Sequence, residues 1–184
     1  RSTLFPYTTL FRSDRNRIRA NDSTGLEEVI VTSEAVSDDL TNGLGAELRE
    51  LARNRNRVEV GVMAMVAAQN MVGQNGTQIA SLAQEIHSTH RTMSQEEKQI
   101  QSRAFLSKLF FGGDSDTAAS MQTQLQLNEQ RMLQIRQSLD ECECEEQVRT
   151  MLQEQLQNMQ EEHTRLKQLA DNETSTWGLF SWRF

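Results

Sequence analysis

The sequence predicts an all-α protein, arranged as an up-and-down antiparallel helical bundle or an elongated antiparallel coiled coil. Its only proline is Pro6, so no proline interrupts a helix anywhere in the remaining chain. It contains nineteen Gln and eight Met, and such unbranched side chains lose little rotamer freedom in a helix. Apolar residues also recur at spacings of three and four in four successive stretches. Short connections between these stretches make consecutive helices antiparallel neighbours.

Residues 1–13, RSTLFPYTTLFRS, resemble a translated sequencing adapter. Codons for all thirteen can be chosen so that they spell, in frame, the adapter ligated to DNA fragments in short-read sequencing. We therefore exclude this stretch from fold prediction. Its removal leaves 17 Lys and Arg against 26 Asp and Glu, a net charge of −9 in place of −7. We expect that it replaces the natural N-terminus together with any signal peptide.

Residues 14–43 are polar and have no helical period, so we predict a linker or a disordered leader. Within them, Leu26–Thr32 has the composition of a short strand, but nothing nearby could pair with it.

The first helix is predicted over residues 44–72, with one apolar face formed by Leu44, Leu48, Leu51, Val58, Val62 and Met65. The tetrapeptide 73–76, GQNG, suits a turn better than a helix interior, where each Gly costs about 1 kcal/mol relative to Ala. In the alternative interpretation, the first and second helices are continuous through this weak point.

The second helix is predicted over residues 77–111, and Gly112-Gly113-Asp114 ends it and starts the next. The third, over 116–141, has the most regular heptad pattern, formed by Ala118, Met121, Leu125, Asn128, Met132, Ile135, Leu139 and Cys142. The acidic stretch 140–146 precedes the fourth helix, over 145–172, and favours its N-terminus through the helix dipole. The helical domain as a whole is predicted over 44–174. We interpret the many carboxylates as a solvated face and Asn128 as a polar core residue that fixes register.

The aromatic residues left after residue 13 fall in two segments, one at the end of the second helix and one in the C-terminal tail, 175–184. A hairpin of the last two helices brings both segments to one end of the molecule. They could pack together as a small core that caps the bundle, or form an exposed tip that contacts a membrane interface or a partner. The candidate contact residues are Phe105, Phe110, Phe111, Trp177, Phe180, Trp182 and Phe184.

Cys142 and Cys144 are the main candidates for a metal site. His87, His90 and His163 are the residues that could complete it. A closed structural zinc site needs four ligands, so we predict no metal and two ordinary thiols, or thiols paired with another chain. A bond between the two would close a strained ring and is not expected. The sequence has no Ser/His/Asp arrangement, nucleotide-binding glycine loop or HExxH pattern, so we predict neither an enzyme nor a cofactor.

Charge and hydropathy restrict the partners further. The acidic balance argues against nucleic acid, because the electrostatic term would be repulsive. No run of about 18 apolar residues is present, so no membrane-spanning helix is predicted. Three Asn-x-Ser/Thr sequons, at Asn21, Asn75 and Asn172, favour an exported chain, and two of them lie at predicted helix ends, where glycans would be accessible.

Residues 42–184 resemble a group of uncharacterised, Gln-rich helical proteins of methanogenic archaea. The resemblance lies in VEVGVMAMVAAQN at 58–70, LFFGGD at 109–114, the Cys-x-Cys with the following EEQVRTMLQEQLQNMQEE, and the Gly-Leu-Phe-x-Trp ending. It implies an exported protein with an N-terminal signal segment, and no activity. Residues 14–41 fit it poorly.

These observations favour a non-enzymatic structural or interaction protein of the archaeal cell envelope, extracytoplasmic or at the cell surface. Its partners would be a protein or a second copy bound through the helices. Two alternatives are a membrane-active protein that contacts lipid through the aromatic tip, and a fragment of a signalling coiled coil.

Overall fold

The computed structural model describes residues 20, 22–41, 46–102 and 112–175, with side chains described outside 36–51. This part of the chain contains five helices and no strand, which confirms the all-α prediction. The helices are α1 (Ser23–Thr41), α2 (Ala46–Ala67), α3 (Gly76–Ser102), α4 (Ser115–Asp140) and α5 (Glu146–Ser175).

Helices α2 to α5 form an up-and-down four-helix bundle. Each packs against the next in sequence, and α5 closes the ring against α2. The α4–α5 hairpin shows the antiparallel register. Near the tight turn, the Gln153 amide donates to Asp140 over 3.2 Å, and at the far end the Gln122 amide donates to Asp171 over 2.9 Å.

Helix α1 contradicts the prediction of a linker or leader over 14–43, and equally that of a short strand over 26–32. It packs mainly against α2, with a smaller contact to α5. Asp22 caps its first turn by accepting from the Gly25 amide over 2.8 Å. Leu26 and Ile30, one turn apart, are 0% and 9% exposed. The sequence shows only this short apolar stripe, which is too weak a signal to predict a helix. Packing against α2 stabilises the helix.

The α2–α3 connection is a turn, so the alternative of one continuous helix through 73–76 does not hold. After Ala67 the chain continues in two short 3₁₀ segments, Ala68–Asn70 and Gly73–Asn75. Gly73 has φ = +63°, a left-handed conformation that glycine adopts without steric cost. Gly76 lies so close to the end of α2 that a Cβ there would overlap the backbone carbonyl of Gln69. The two glycines therefore produce the tight reversal.

Helices α2 and α5 approach closely at Gly61, where an added Cβ would lie 2.7 Å from the Met159 sulfur. The apolar core consists of two clusters. The larger one includes described residues of all five helices, and the smaller one, among α3, α4 and α5, contains Met93, Ile100, Ala118, Met121, Leu125, Leu166 and Ala170. A layer of polar residues separates the two clusters.

Candidate functional site

A layer of polar side chains crosses the bundle interior between the two apolar clusters. It contains His90 from α3, Asn128 from α4, and Glu162 and His163 from α5. His90, Asn128 and Glu162 are 2–4% exposed. A cavity of about 10 Å³ lies among His90, Asn128, His163 and the neighbouring apolar side chains, which is about the smallest space that holds one water molecule.

Arg165 joins two buried carboxylates at one side of this layer, Glu97 from α3 and Glu162 from its own helix. Its guanidinium donates to both oxygens of Glu97 over 2.6 and 3.0 Å. It also donates to both oxygens of Glu162, each over 2.7 Å. The side chains of Glu97 and Glu162 are 6% and 3% exposed, whereas Arg165 is 29% exposed. The arginine therefore reaches inward from the bundle surface to neutralise charges that could not be buried alone.

The pKa shifts in this cluster follow from its hydrogen bonds. Burial by itself raises the pKa of Glu162, but the hydrogen bonds from Arg165 and its positive charge outweigh it, so the net pKa of Glu162 lies below the ordinary value. Burial by itself lowers the pKa of Arg165, and the two carboxylates raise it well above the ordinary value. Glu162 and Arg165 are therefore both charged at neutral pH.

The three histidines do not assemble a metal site. His90 Nε2 lies 3.6 Å from a Glu162 oxygen, and His163 Nε2 lies 2.9 Å from the backbone carbonyl of Leu125. Burial, together with the charges of Arg91 and His90, lowers the pKa of His87 to about 4. In the described part of the chain, no group of three or more His, Cys, Asp or Glu could hold a metal ion.

Asn128 lies at the interface between α3 and α4, where its side-chain oxygen accepts from Thr89 over 2.6 Å and from Arg131 over 2.9 Å. Arg131 also pairs with Glu85 over 2.9 Å. A shift of α4 along α3 by one turn would break the Asn128–Thr89 hydrogen bond, which is the one that joins the two helices, whereas the bond from Arg131 lies within α4. This geometry is what a register-fixing role requires.

Cys142 and Cys144 are joined by a disulfide in the α4–α5 connection, and their Cα atoms are 5.4 Å apart. The prediction of two unbonded thiols, or of thiols paired with another chain, is therefore wrong. The sharp turn between the antiparallel helices brings the two Cα atoms within the range that a disulfide spans. With both sulfurs in the bond, neither is a thiolate that could bind metal.

The seven aromatic candidates, Phe105, Phe110, Phe111, Trp177, Phe180, Trp182 and Phe184, lie outside the described residues. The described residues next to them meet at one end of the bundle. The Asp114 amide donates to the Glu173 carboxylate over 3.0 Å. A Cβ at Gly113 would overlap the backbone carbonyl of Glu173. The α3–α4 connection and the end of α5 are thus in contact.

A run of uncharged residues lies on the exposed side of α4. We define the α4 outer face as Gln126, Leu127, Gln130, Leu133 and Gln134, all of which are exposed. The exposed charged residues Glu129 and Arg136 lie beside Leu133, four residues before it and three after it. Leu127 and Leu133 are 45% and 56% exposed. No sequence pattern marked this face, because only the opposite face of α4 has a regular apolar pattern.

The accessibility predicted for the sequons does not hold at Asn75. This side chain is half-buried, and its amide nitrogen, the atom that a glycan would modify, donates to the Ser138 carbonyl over 3.0 Å. Asn172 is exposed on α5.

Comparisons of the chain with protein-family models, with curated proteins and with solved structures gave no match.

Proposed function

We propose that this chain is a non-enzymatic structural or interaction protein of the archaeal cell envelope, and that it associates with a second copy of itself through the α4 outer face. The observation that carries the proposal is the combination of exposed Leu127 and Leu133 with uncharged glutamines on that face. The assignment to an archaeal envelope rests on the family resemblance, and export is supported by the exposed sequon at Asn172.

The chemistry of the α4 outer face favours self-association. A glutamine side chain has both hydrogen-bond donors and acceptors, so a row of glutamines is complementary to an identical row. A twofold interface places the same patch on both partners, and it therefore needs such self-complementarity. The exposed leucines supply apolar area that association removes from water. The five residues of this face carry no charge, and Glu129 and Arg136 beside Leu133 have opposite charges, so the contact avoids part of the repulsion expected between two acidic chains.

Analytical ultracentrifugation over a concentration series tests this interface. The native chain should show a reversible monomer–dimer equilibrium, and the double variant Gln130→Glu/Leu133→Glu should weaken it by about tenfold or more, because each interface then contains four added carboxylates. The matched control is Gln157→Glu/Gln168→Glu, since both glutamines are exposed on α5. A chain that stays monomeric throughout, or equal dimerisation of both variants, would rule the interface out.

A second candidate is a membrane-active protein that contacts lipid through its aromatic segments. The contact between Asp114 and Glu173 favours it. Residues 103–111 precede Asp114 and residues 176–184 follow Glu173, so both aromatic segments connect to the described chain at the same end of the bundle. Among the helices of the described residues, none is long and apolar enough to cross a membrane, so this contact would be at the bilayer surface.

Flotation with anionic liposomes tests the second candidate, with the full chain compared to one that lacks Trp177–Phe184. Binding that is lost on deletion supports it, and binding that is equal in both chains, or absent from both, contradicts it.

A further inference from the structure

A cavity of about 340 Å³ opens between α1, α2 and α5, away from the α4 outer face. Its lining is mainly polar. Glu34 comes from α1, Arg53, Asn56 and Arg57 come from α2, and Gln155 comes from α5. Its size is within the range of pockets that hold small organic ligands.

Two buried carboxamides in the lining have hydrogen-bonding capacity that no described residue uses. Asn56 and Gln155 are 4% and 5% exposed. The amide nitrogen of Asn56 and the amide oxygen of Gln155 have no hydrogen-bond partner among the described residues. Because rotation about the last side-chain torsion is soft, each amide can present either its nitrogen or its oxygen to the cavity. Buried polar groups in native proteins are nearly always paired, so two unpaired amides beside one cavity indicate a ligand.

The charges around the cavity specify the ligand chemistry. Arg53 is exposed at the edge of the cavity and has no ion pair with another described residue, whereas Arg57 pairs with Glu161 over 3.2 Å. Glu34 supplies a carboxylate on the opposite helix. The cavity thus offers donors for a carboxylate, from Arg53 and Asn56, and acceptors for an ammonium group, from Glu34 and Gln155.

We propose that this cavity binds a small zwitterion of the free amino-acid class. The carboxylate of the ligand accepts from the Arg53 guanidinium and the Asn56 amide. Its ammonium group donates to Glu34 and to the amide oxygen of Gln155. With the Asn56 nitrogen donating and the Gln155 oxygen accepting, as the structure orients them, a ligand with both groups pairs the two buried amides at once.

Isothermal titration calorimetry with each of the twenty common L-amino acids tests the proposal, with acetate and methylammonium as probes for a single charged group. At least one amino acid should bind at millimolar concentration or below, and neither single-charge probe should bind comparably. The proposal is overturned if no amino acid binds, or if acetate binds as tightly as the best amino acid, which would indicate an anion site only.

Three variants locate the binding. Gln155→Met and Asn56→Leu should each weaken it by about tenfold or more, because a hydrogen bond to a charged group is lost. Neither should lower the urea midpoint of the ligand-free protein, since the unpaired atoms have no partner to lose. Arg53→Gln changes an exposed side chain without altering the core, so it tests the site even if a core variant fails to fold. Gln157→Met, at an exposed position on α5, is the matched control. Unchanged affinity in Arg53→Gln and in the folded core variants would refute the site.

Discussion

Replacing Arg165 with methionine should destabilise the protein strongly at neutral pH, although the arginine itself is partly exposed. The substitution keeps an apolar stem but removes the guanidinium that donates to Glu97 and Glu162 over 2.6–3.0 Å. Both carboxylates then stay in the interior, where they are 6% and 3% exposed. His90 Nε2 lies 3.6 Å from a Glu162 oxygen, too far to replace the hydrogen bonds of the guanidinium.

The expected loss is about 3 kcal/mol of unfolding free energy. Breaking a buried ion pair costs about 3–5 kcal/mol because it leaves an uncompensated charge, and the lower end applies here because solvent reaches Arg165. Arg57→Met is the matched control. It breaks a single ion pair with Glu161 in which both side chains are more than half exposed, so it should cost less than about 1 kcal/mol. Urea unfolding followed by circular dichroism measures both.

The pH dependence separates a buried charge from a simple loss of packing. In the native protein the pKa of Glu162 lies below its ordinary value, so its stabilisation is present above that ordinary value and is lost as pH falls through the lower, folded-state pKa. In Arg165→Met burial remains as the main influence on Glu162, and it raises the pKa of that carboxyl group. The variant should therefore recover relative to the native protein as the pH falls toward the ordinary pKa of a carboxyl group. A loss below about 1 kcal/mol at neutral pH, or a loss that does not change with pH, would refute the ionic explanation.

Three further predictions concern single positions. The pKa of His87 is lowered to about 4, so the unfolded chain takes up a proton at higher pH than the folded protein does, and stability should fall by about 1–2 kcal/mol between about pH 6.5 and 4. His87→Gln should flatten that part of the urea pH profile, and an unchanged slope would contradict this assignment. Gly76→Ala should lower the free energy of unfolding in urea by about 1–3 kcal/mol, because its Cβ overlaps the Gln69 carbonyl, and a gain in stability would show that the turn relaxes. Asn128→Leu should stay within about 1 kcal/mol of the native stability, because Thr89 keeps bonds to backbone carbonyls, and a loss of several kcal/mol would give Asn128 more than a register role.

The sequence was sufficient to predict the all-α class, because class depends on local features that a periodic pattern records. The helix predicted over 116–141 spans Ser115–Asp140, and the one predicted over 145–172 spans Glu146–Ser175. Helix α1 was not predicted, because a stripe based on Leu26 and Ile30 has too few apolar residues to stand out from a polar linker. Its stability comes from contacts with α2 that are distant in sequence.

The ionic cluster was also missed, although a signal for it was present. His90 and Glu97 continue the core-facing series Ile86, Met93 and Ile100 on α3 at steps of four and three. A carboxylate at a core-facing position requires a cationic partner. Glu97 was instead counted with the carboxylates of the solvated face, so its need for a partner was not recognised. What the sequence could not supply was the partner. Arg165 lies 68 residues away from Glu97, on the helix diagonally opposite in the bundle.

The placement of Glu97 and Arg165 on diagonal helices explains why a four-helix bundle would retain such a costly cluster. Neighbouring helices contact each other along their whole length, so their apolar faces alone leave many registers similar in energy. Helices α3 and α5 touch only slightly across the centre, yet Glu97–Arg165 and His90–Glu162 both connect them. Sliding either helix by one turn, about 5.4 Å, would separate the Glu97 carboxylate from the Arg165 guanidinium inside the core. The polar layer therefore penalises wrong registers more than it stabilises the right one, and Asn128 does the same between α3 and α4.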